Sequence, residues 1–254
     1  MKKILFVANW KMQPESAKEA QVLWGGTKRA VARARRIATV VCPPFVYLHP
    51  LSKTRSTSAL LGAQDISLYD RGAHTGEVSP AMLKSLNVRY VIVGHSERRN
   101  LGETNVIVAR KTKLALASGL HPIVCVGEQE RSLHGEHLGS LEEQIRHSLS
   151  GVPRGQAKNL VVAYEPLWAV GKSFKYAMQP GEIHEATLFI RKILAKLFGR
   201  SVGMAIPVLY GGAVEGENIA AVVFEGEVDG VLVGHASLDA RLVSRMVRAL
   251  ESSR

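Results

Sequence analysis

Val161-Val162-Ala163-Tyr164-Glu165-Pro166-Leu167-Trp168-Ala169-Val170-Gly171-Lys172-Ser173 is the stretch from which the rest of the chain is read. An apolar, β-branched run stops at a carboxylate, and a proline follows at once. Proline fixes its own φ and pushes the residue before it out of the helical region, which predicts an extended Glu165 at the C-terminal end of a strand. The segment after it is largely apolar with one glycine, a poor solvated turn but suited to a lid. A carboxylate fixed at a strand end beside a closing lid has what a general base needs: a defined position and removable water. The plainer alternative is a strand that ends in a surface glutamate, and this stretch alone leaves both open.

Outward from it, the same pattern recurs. Residues 4–8, 38–42, 59–63, 90–93, 122–126, 206–209 and 230–233 are short apolar runs without polar alternation, as strands buried on both faces should be. Between them the spacing predicts helices over 17–36, from 46, from the Ser79-Pro80 cap, and over 105–118, 138–149, 180–198, 217–224 and 238–250. Eight strand–helix units in 254 residues predict an α/β fold, a closed (β/α)8 TIM barrel forming a single domain over 1–254. A doubly wound open sheet is the rival. It places a glycine-rich phosphate turn after its first strand, where this chain has Asn9-Trp10-Lys11. No linker or low-complexity segment divides the chain.

Composition excludes several classes. No apolar run is long enough to span a bilayer, so no membrane role is expected. Asn9, Trp10 and Lys11 interrupt the apolar start too early for a secretory signal. The two cysteines, Cys42 and Cys125, each close a strand-like run and read as buried free thiols. No Cys/His cluster has metal-ligand spacing. These features predict a cytoplasmic protein without a metal. The formal net charge of +11 comes from Lys and Arg scattered over helical segments, with no aromatic-interleaved strip, so no nucleic-acid partner is expected. Such a field can still steer a small anion.

In a barrel the chemistry sits at the C-terminal strand ends. Those ends carry Asn9 and Lys11, Gln64, His95 with Ser96 and Glu97, Glu165, Gly211-Gly212 and Gly234-His235. His95 opens a turn before a helix, and a helix N-terminus favours neutral over cationic imidazole, so it can donate without carrying charge. The turns after the last two strands expose backbone N–H groups to a phosphate. Carboxylate base, neutral imidazole, lysine cation and phosphate seat together describe proton abstraction beside a carbonyl, through an enediolate. Two lookalikes fail: Arg98 stands where the second glycine of a nucleophile elbow belongs, and Pro166 where the first glycine of a P-loop belongs.

Asn9-Trp10-Lys11, residues 76–79, 93–99 and 125–128, residues 164–171, Tyr210-Gly211-Gly212 and residues 232–234 occur in the order found in the triosephosphate isomerase family, which the chain resembles over its whole length. That resemblance implies interconversion of dihydroxyacetone phosphate and D-glyceraldehyde 3-phosphate without a cofactor. Glu165 would shuttle the proton and His95 polarise the substrate oxygens; Lys11 and Asn9 would hold substrate and developing charge. This is the worked case of pKa tuning and lid closure from which general statements about such sites are drawn. Ser96 and Glu97 would support these groups, and Tyr210 would bond the closed lid. Gly171, Ala213, Gly234 and His235 would offer backbone N–H groups to the phosphate. Thr75, in the loop after the third strand, would reach the active site of a second subunit, implying a homodimer. The chain departs from the family at residues 172–176 of the lid, at Ala213 in place of a serine and at His235 in place of a glycine. A related isomerase of a longer phosphoketose, such as a tetrulose phosphate, is therefore the alternative. A basic scaffold protein is a third reading, which an intact Lys11, His95 and Glu165 opposes.

Overall fold

The computed structural model describes residues 3–54, 58–132, 135–169 and 177–253. Eight parallel strands follow one another around the molecule: β1 (Ile4–Asn9), β2 (Ile37–Cys42), β3 (Ala59–Ala63), β4 (Val88–Val93), β5 (His121–Val126), β6 (Val161–Tyr164), β7 (Val208–Tyr210) and β8 (Gly230–Val233). Each pairs with its sequence neighbours, and β8 returns to β1 with Leu232 opposite Val7, closing the barrel.

The apolar runs do not alternate because both of their faces are covered. Leu5, Val7, Val40, Cys42, Ile123, Cys125 and Leu209 pack together inside the barrel. The residues between them, such as Phe6, Ala8, Val41, Val124 and Tyr210, pack outward against the helices. Both cysteines are buried and free, and burial pushes both thiols up.

The helices are α1 (Ala17–Val31), α2 (Phe45–Ser52), α3 (Pro80–Ser85), α4 (Ser96–Asn100), α5 (Asn105–Ala117), α6 (Glu136–Ser148), α7 (Pro180–Phe198), α8 (Arg200–Ala205), α9 (Ile219–Phe224) and α10 (Ala240–Ser252). The Ser79 hydroxyl caps α3 with Pro80 in its first turn, as the sequence predicts. The helix predicted over 17–36 stops at Val31. Arg36 is drawn out of it, its N–H donating to Glu251 and its carbonyl accepting from Ile4 as β2 begins. Helix α8 was not predicted, and β7 begins at Val208 rather than 206, after Pro207, whose carbonyl accepts from Val162. The last helix starts at Ala240, because the Asp239 side chain caps it through the Arg241 N–H.

Candidate active site

At the C-terminal mouth of the barrel lies a cavity of about 370 Å³. Asn9, Lys11, His95 and Glu165 line it together with Gly211, Gly212, Ala213, Gly234 and His235.

The loop after β1 carries the cation. Lys11 has φ +53°, a left-handed conformation that an L-residue adopts only when its surroundings impose it. Three groups do so here. The Lys11 N–H donates to Asn9 Oδ1 at 3.0 Å, and Gln64 Nε2 donates to the carbonyls of Lys11 and Cys42 at 2.8 and 2.9 Å. Its ammonium then meets Glu97 Oε1 at 2.7 Å.

His95 occupies the cap position of α4. Its Nδ1 accepts from the Glu97 N–H at 3.2 Å, which places the ring proton on Nε2. That nitrogen stands 3.3 Å from Glu165 Oε1, and the other Glu165 oxygen accepts from the Ser96 N–H at 3.2 Å. Both side chains are buried, His95 at 6% and Glu165 at 3% exposure.

Glu165 is aimed by its main chain as much as by its neighbours. Its N–H donates to the Val126 carbonyl at 2.7 Å, continuing the β5–β6 pairing by one residue. Gly127 presses against it: a Cβ there would sit 1.9 Å from the Glu165 carbonyl oxygen, so only glycine fits. The Gly127 N–H in turn donates to Gln144 Oε1 at 2.7 Å. Beyond Glu165, Glu128 ties the next turn to β5. Its Oε1 accepts from the Tyr164 hydroxyl at 2.8 Å and the Trp168 indole at 3.0 Å, and its carbonyl accepts from Leu167. Burial, then Glu128, pushes the Tyr164 phenol far up, so it stays a donor.

The opposite wall is small. Ala213 is 7% exposed, and a Cβ on Gly212 would collide with the Tyr210 hydroxyl. Tyr210 is itself fully buried beneath that wall, and burial pushes its phenol up to about 12, the Met178 backbone holding it back. His235 begins a short 3-10 turn (His235–Leu238) after β8, its side chain exposed at the cavity mouth. Thr75 is exposed in the loop after β3 and is not among the cavity residues. Gly171 and residues 172–176 lie outside the described residues.

Sequence reasoning missed Gln64's bonds to the Lys11 loop, and it missed Gln144, the tie that Glu128 makes and Arg99. Glu128 and Arg99 lay within quoted motifs and Gln64 at a strand end, but their bonds run to backbone carbonyls and amides of distant elements, and nothing in local spacing marks those partners.

Residues 4–250 match a family model described as triosephosphate isomerase. The triosephosphate isomerase of Moorella thermoacetica is 43% identical over 243 residues, 94% of this chain and 96% of that protein. That of Carboxydothermus hydrogenoformans is 40% identical over 254 residues, 98% of this chain and 99% of that protein. That of Dehalococcoides mccartyi strain CBDB1 is 40% identical over 243 residues, 94% and 93% of the two chains. Similarity that runs from the first strand to the last helix, on a closed eight-stranded barrel, places this chain in the triosephosphate isomerase family.

Proposed function

We propose that the chain interconverts dihydroxyacetone phosphate and D-glyceraldehyde 3-phosphate at this cavity. The observation that carries the reading is the buried contact between Glu165 and the Nε2 of His95, 3.3 Å apart beside Lys11. The Glu165 carboxylate takes a proton from the hydroxymethyl carbon next to the substrate carbonyl. His95 Nε2–H donates to the carbonyl oxygen, and the Lys11 ammonium, with Asn9, offsets the charge of the enediolate. Glu165 then returns the proton to the neighbouring carbon, and the oxygens exchange theirs through His95, so atoms and charge balance. The Ser96 N–H parks the carboxylate between steps, and Glu97 holds the lysine.

The phosphate would sit against the backbone N–H groups of Ala213, Gly234 and His235, with Gly171 closing from the lid and Tyr210 bonding the closed form. Its dianion explains why that wall is built of small residues: backbone donors must approach closely. Among the described residues no helix is long and apolar enough to cross a membrane. We read the protein as a cytoplasmic homodimer in which Thr75 reaches the partner's site.

The test is a coupled assay for glyceraldehyde 3-phosphate formation on the full chain and on Glu165→Gln. We expect the substitution to lower kcat by about three orders of magnitude or more with the fold intact, because only positioning and electrostatics remain. Activity within tenfold of the parent would sink the assignment of the base.

A further inference from the structure

Arg99, in α4, has no role in the reaction described above, yet its half-buried guanidinium reaches the turn after β4 and three further elements, α5, β5 and α6. Nε donates to the Gly94 carbonyl at 2.7 Å and Nη1 to Asn105 Oδ1 at 2.7 Å. Nη2 donates to the Cys125 carbonyl at 3.0 Å and to Ser148 Oγ at 3.1 Å. Ser148, fully buried, also donates to Asn105 Oδ1, closing the cluster. All four acceptors are neutral oxygens. A guanidinium held this way keeps its charge without a paired carboxylate, an arrangement that costs desolvation and calls for a reason.

The two carbonyls supply one. Gly94 directly precedes His95, and its φ of +68° makes this peptide the bend between β4 and α4. The Cys125 carbonyl belongs to the peptide before Val126, whose own carbonyl accepts the Glu165 N–H. One planar fork therefore fixes the backbone under the imidazole and the end of β5 to which the Glu165 N–H is bonded. Single-point ammonium groups cannot span two carbonyls in that way. The charge is placed as well as the donors: burial lowers the pKa of Arg99, while Cys125, Glu103 and Glu165 pull it back up.

We propose that Arg99 is a positioning residue for the isomerisation, clamping the ends of β4 and β5 so that His95 and Glu165 meet at one point of the cavity. The proposal rests on the reading of Glu165 as the base. It acts through the backbone and through its charge, touching neither substrate nor reacting atoms.

Arg99→Lys and Arg99→Gln separate the two contributions in the full chain. Lysine keeps the charge and loses the fork; we expect kcat to fall about tenfold and KM to stay within about twofold. Glutamine loses the charge too. We expect kcat to fall about a hundredfold with KM still within about twofold. The other groups facing Glu165 are His95 and the Ser96 N–H from the end of β4 and Cys125 from β5, with Lys11 and its partner Glu97 on the cavity wall; both variants leave them unchanged. In a Glu165→Gln background each substitution should lower kcat by less than it does in the parent, since the part that acts through the base is already lost. An Arg99→Lys protein with the parent's kcat, or a loss carried by KM alone, overturns the proposal. If circular dichroism shows Arg99→Gln unfolded, the lysine variant decides by its kcat and KM. An active Glu165→Gln single variant instead removes the base assignment, and that is settled before the Arg99 variants are compared.

Discussion

The two halves of the barrel rim are built for different neighbours. Around β1 to β4 the connections leaving the strands hold large apolar side chains out in the open: Met12 is 93% exposed, Leu101 81%, Val46 74% and Met82 57%. These four connections follow one another around the barrel because the strand order is sequential. Around β6 to β8 the rim is made of Gly211, Gly212, Ala213 and Gly234, and the exposed apolar residues of that half, Leu188 and Met204, sit in α7 and α8. Exposed apolar groups in succession mark a surface to be covered. A rim of small residues marks a surface that a small anion approaches. Lys11 and His95 come from the first half and Glu165 from the second, so the chemistry we propose stands on the seam.

The largest effect should come from breaking the apolar half. If a second copy covers it, Leu101→Glu puts a charge where a dry contact belongs and stops association. The Lys11 loop and α4 then lose their cover, and misplacing groups by about 1 Å costs about a hundredfold in rate. We expect sedimentation to show a monomer with activity down by about that factor, and Thr75→Arg to act in the same direction. A monomer with full activity removes the dimer and the role of Thr75 together.

The halves also differ in how far the sequence revealed them. The strands, and the gathering of Glu165, His95 and Lys11 at their C-terminal ends, were legible, because a strand buried on both faces has a period of its own and because Glu165-Pro166 stops a strand. The barrel ends of α1 and β7 were not, since backbone groups of Arg36 and Pro207 answer to partners far away in the chain. The supports of the site were hidden for the same reason. Gln64, Gln144 and Arg99 hold carbonyls and amides from other elements, and a side chain that will reach a distant backbone looks like any exposed polar residue. The apolar rim was missed because Met12, Val46, Met82 and Leu101 belong to four separate connections.

A middle-sized effect is expected behind the apolar half, where Arg98 and Lys111 meet Asp65 and Glu103. Lys111 is 4% exposed and Glu103 8%. Burial pushes the Glu103 carboxyl up, but its bonds from Lys111 and Arg98 outweigh that and leave it below its ordinary value; burial dominates at Asp65 and pushes it up. Glu103→Gln leaves two cations with one carboxylate. We expect a loss of about 3 kcal/mol, read as a lower urea midpoint with an unchanged slope. A depressed carboxyl contributes stability above its unfolded value, and that stability disappears as the pH falls through the folded one. The parent should therefore lose stability below about pH 4 more steeply than the variant. Parallel acid curves for the two proteins contradict this account of the cluster.

The smallest effect belongs to the second half, at His235. Its backbone N–H is available to a phosphate in either case, so only the imidazole is in question. The side chain is exposed at the mouth of the cavity that Gly212, Ala213 and Gly234 line. Imidazoles change charge between about pH 8 and 6, and a neighbouring dianion favours the charged form. If the ring turns toward the phosphate, lowering the pH across that range strengthens binding of a phosphate-bearing inhibitor, against the inhibitor's own loss of charge. His235→Gly removes this contribution and keeps the backbone donor. A hydrogen bond from a charged group contributes about 1.5 kcal/mol or more, roughly tenfold in affinity, and partial exposure should reduce that to about threefold. The comparison to make is the ratio of inhibitor affinities, parent over variant, at the two ends of the range. A ratio that rises toward low pH gives the small-residue wall a titratable edge. A ratio that stays flat shows the imidazole turned to solvent, and leaves phosphate binding in this half to backbone donors alone.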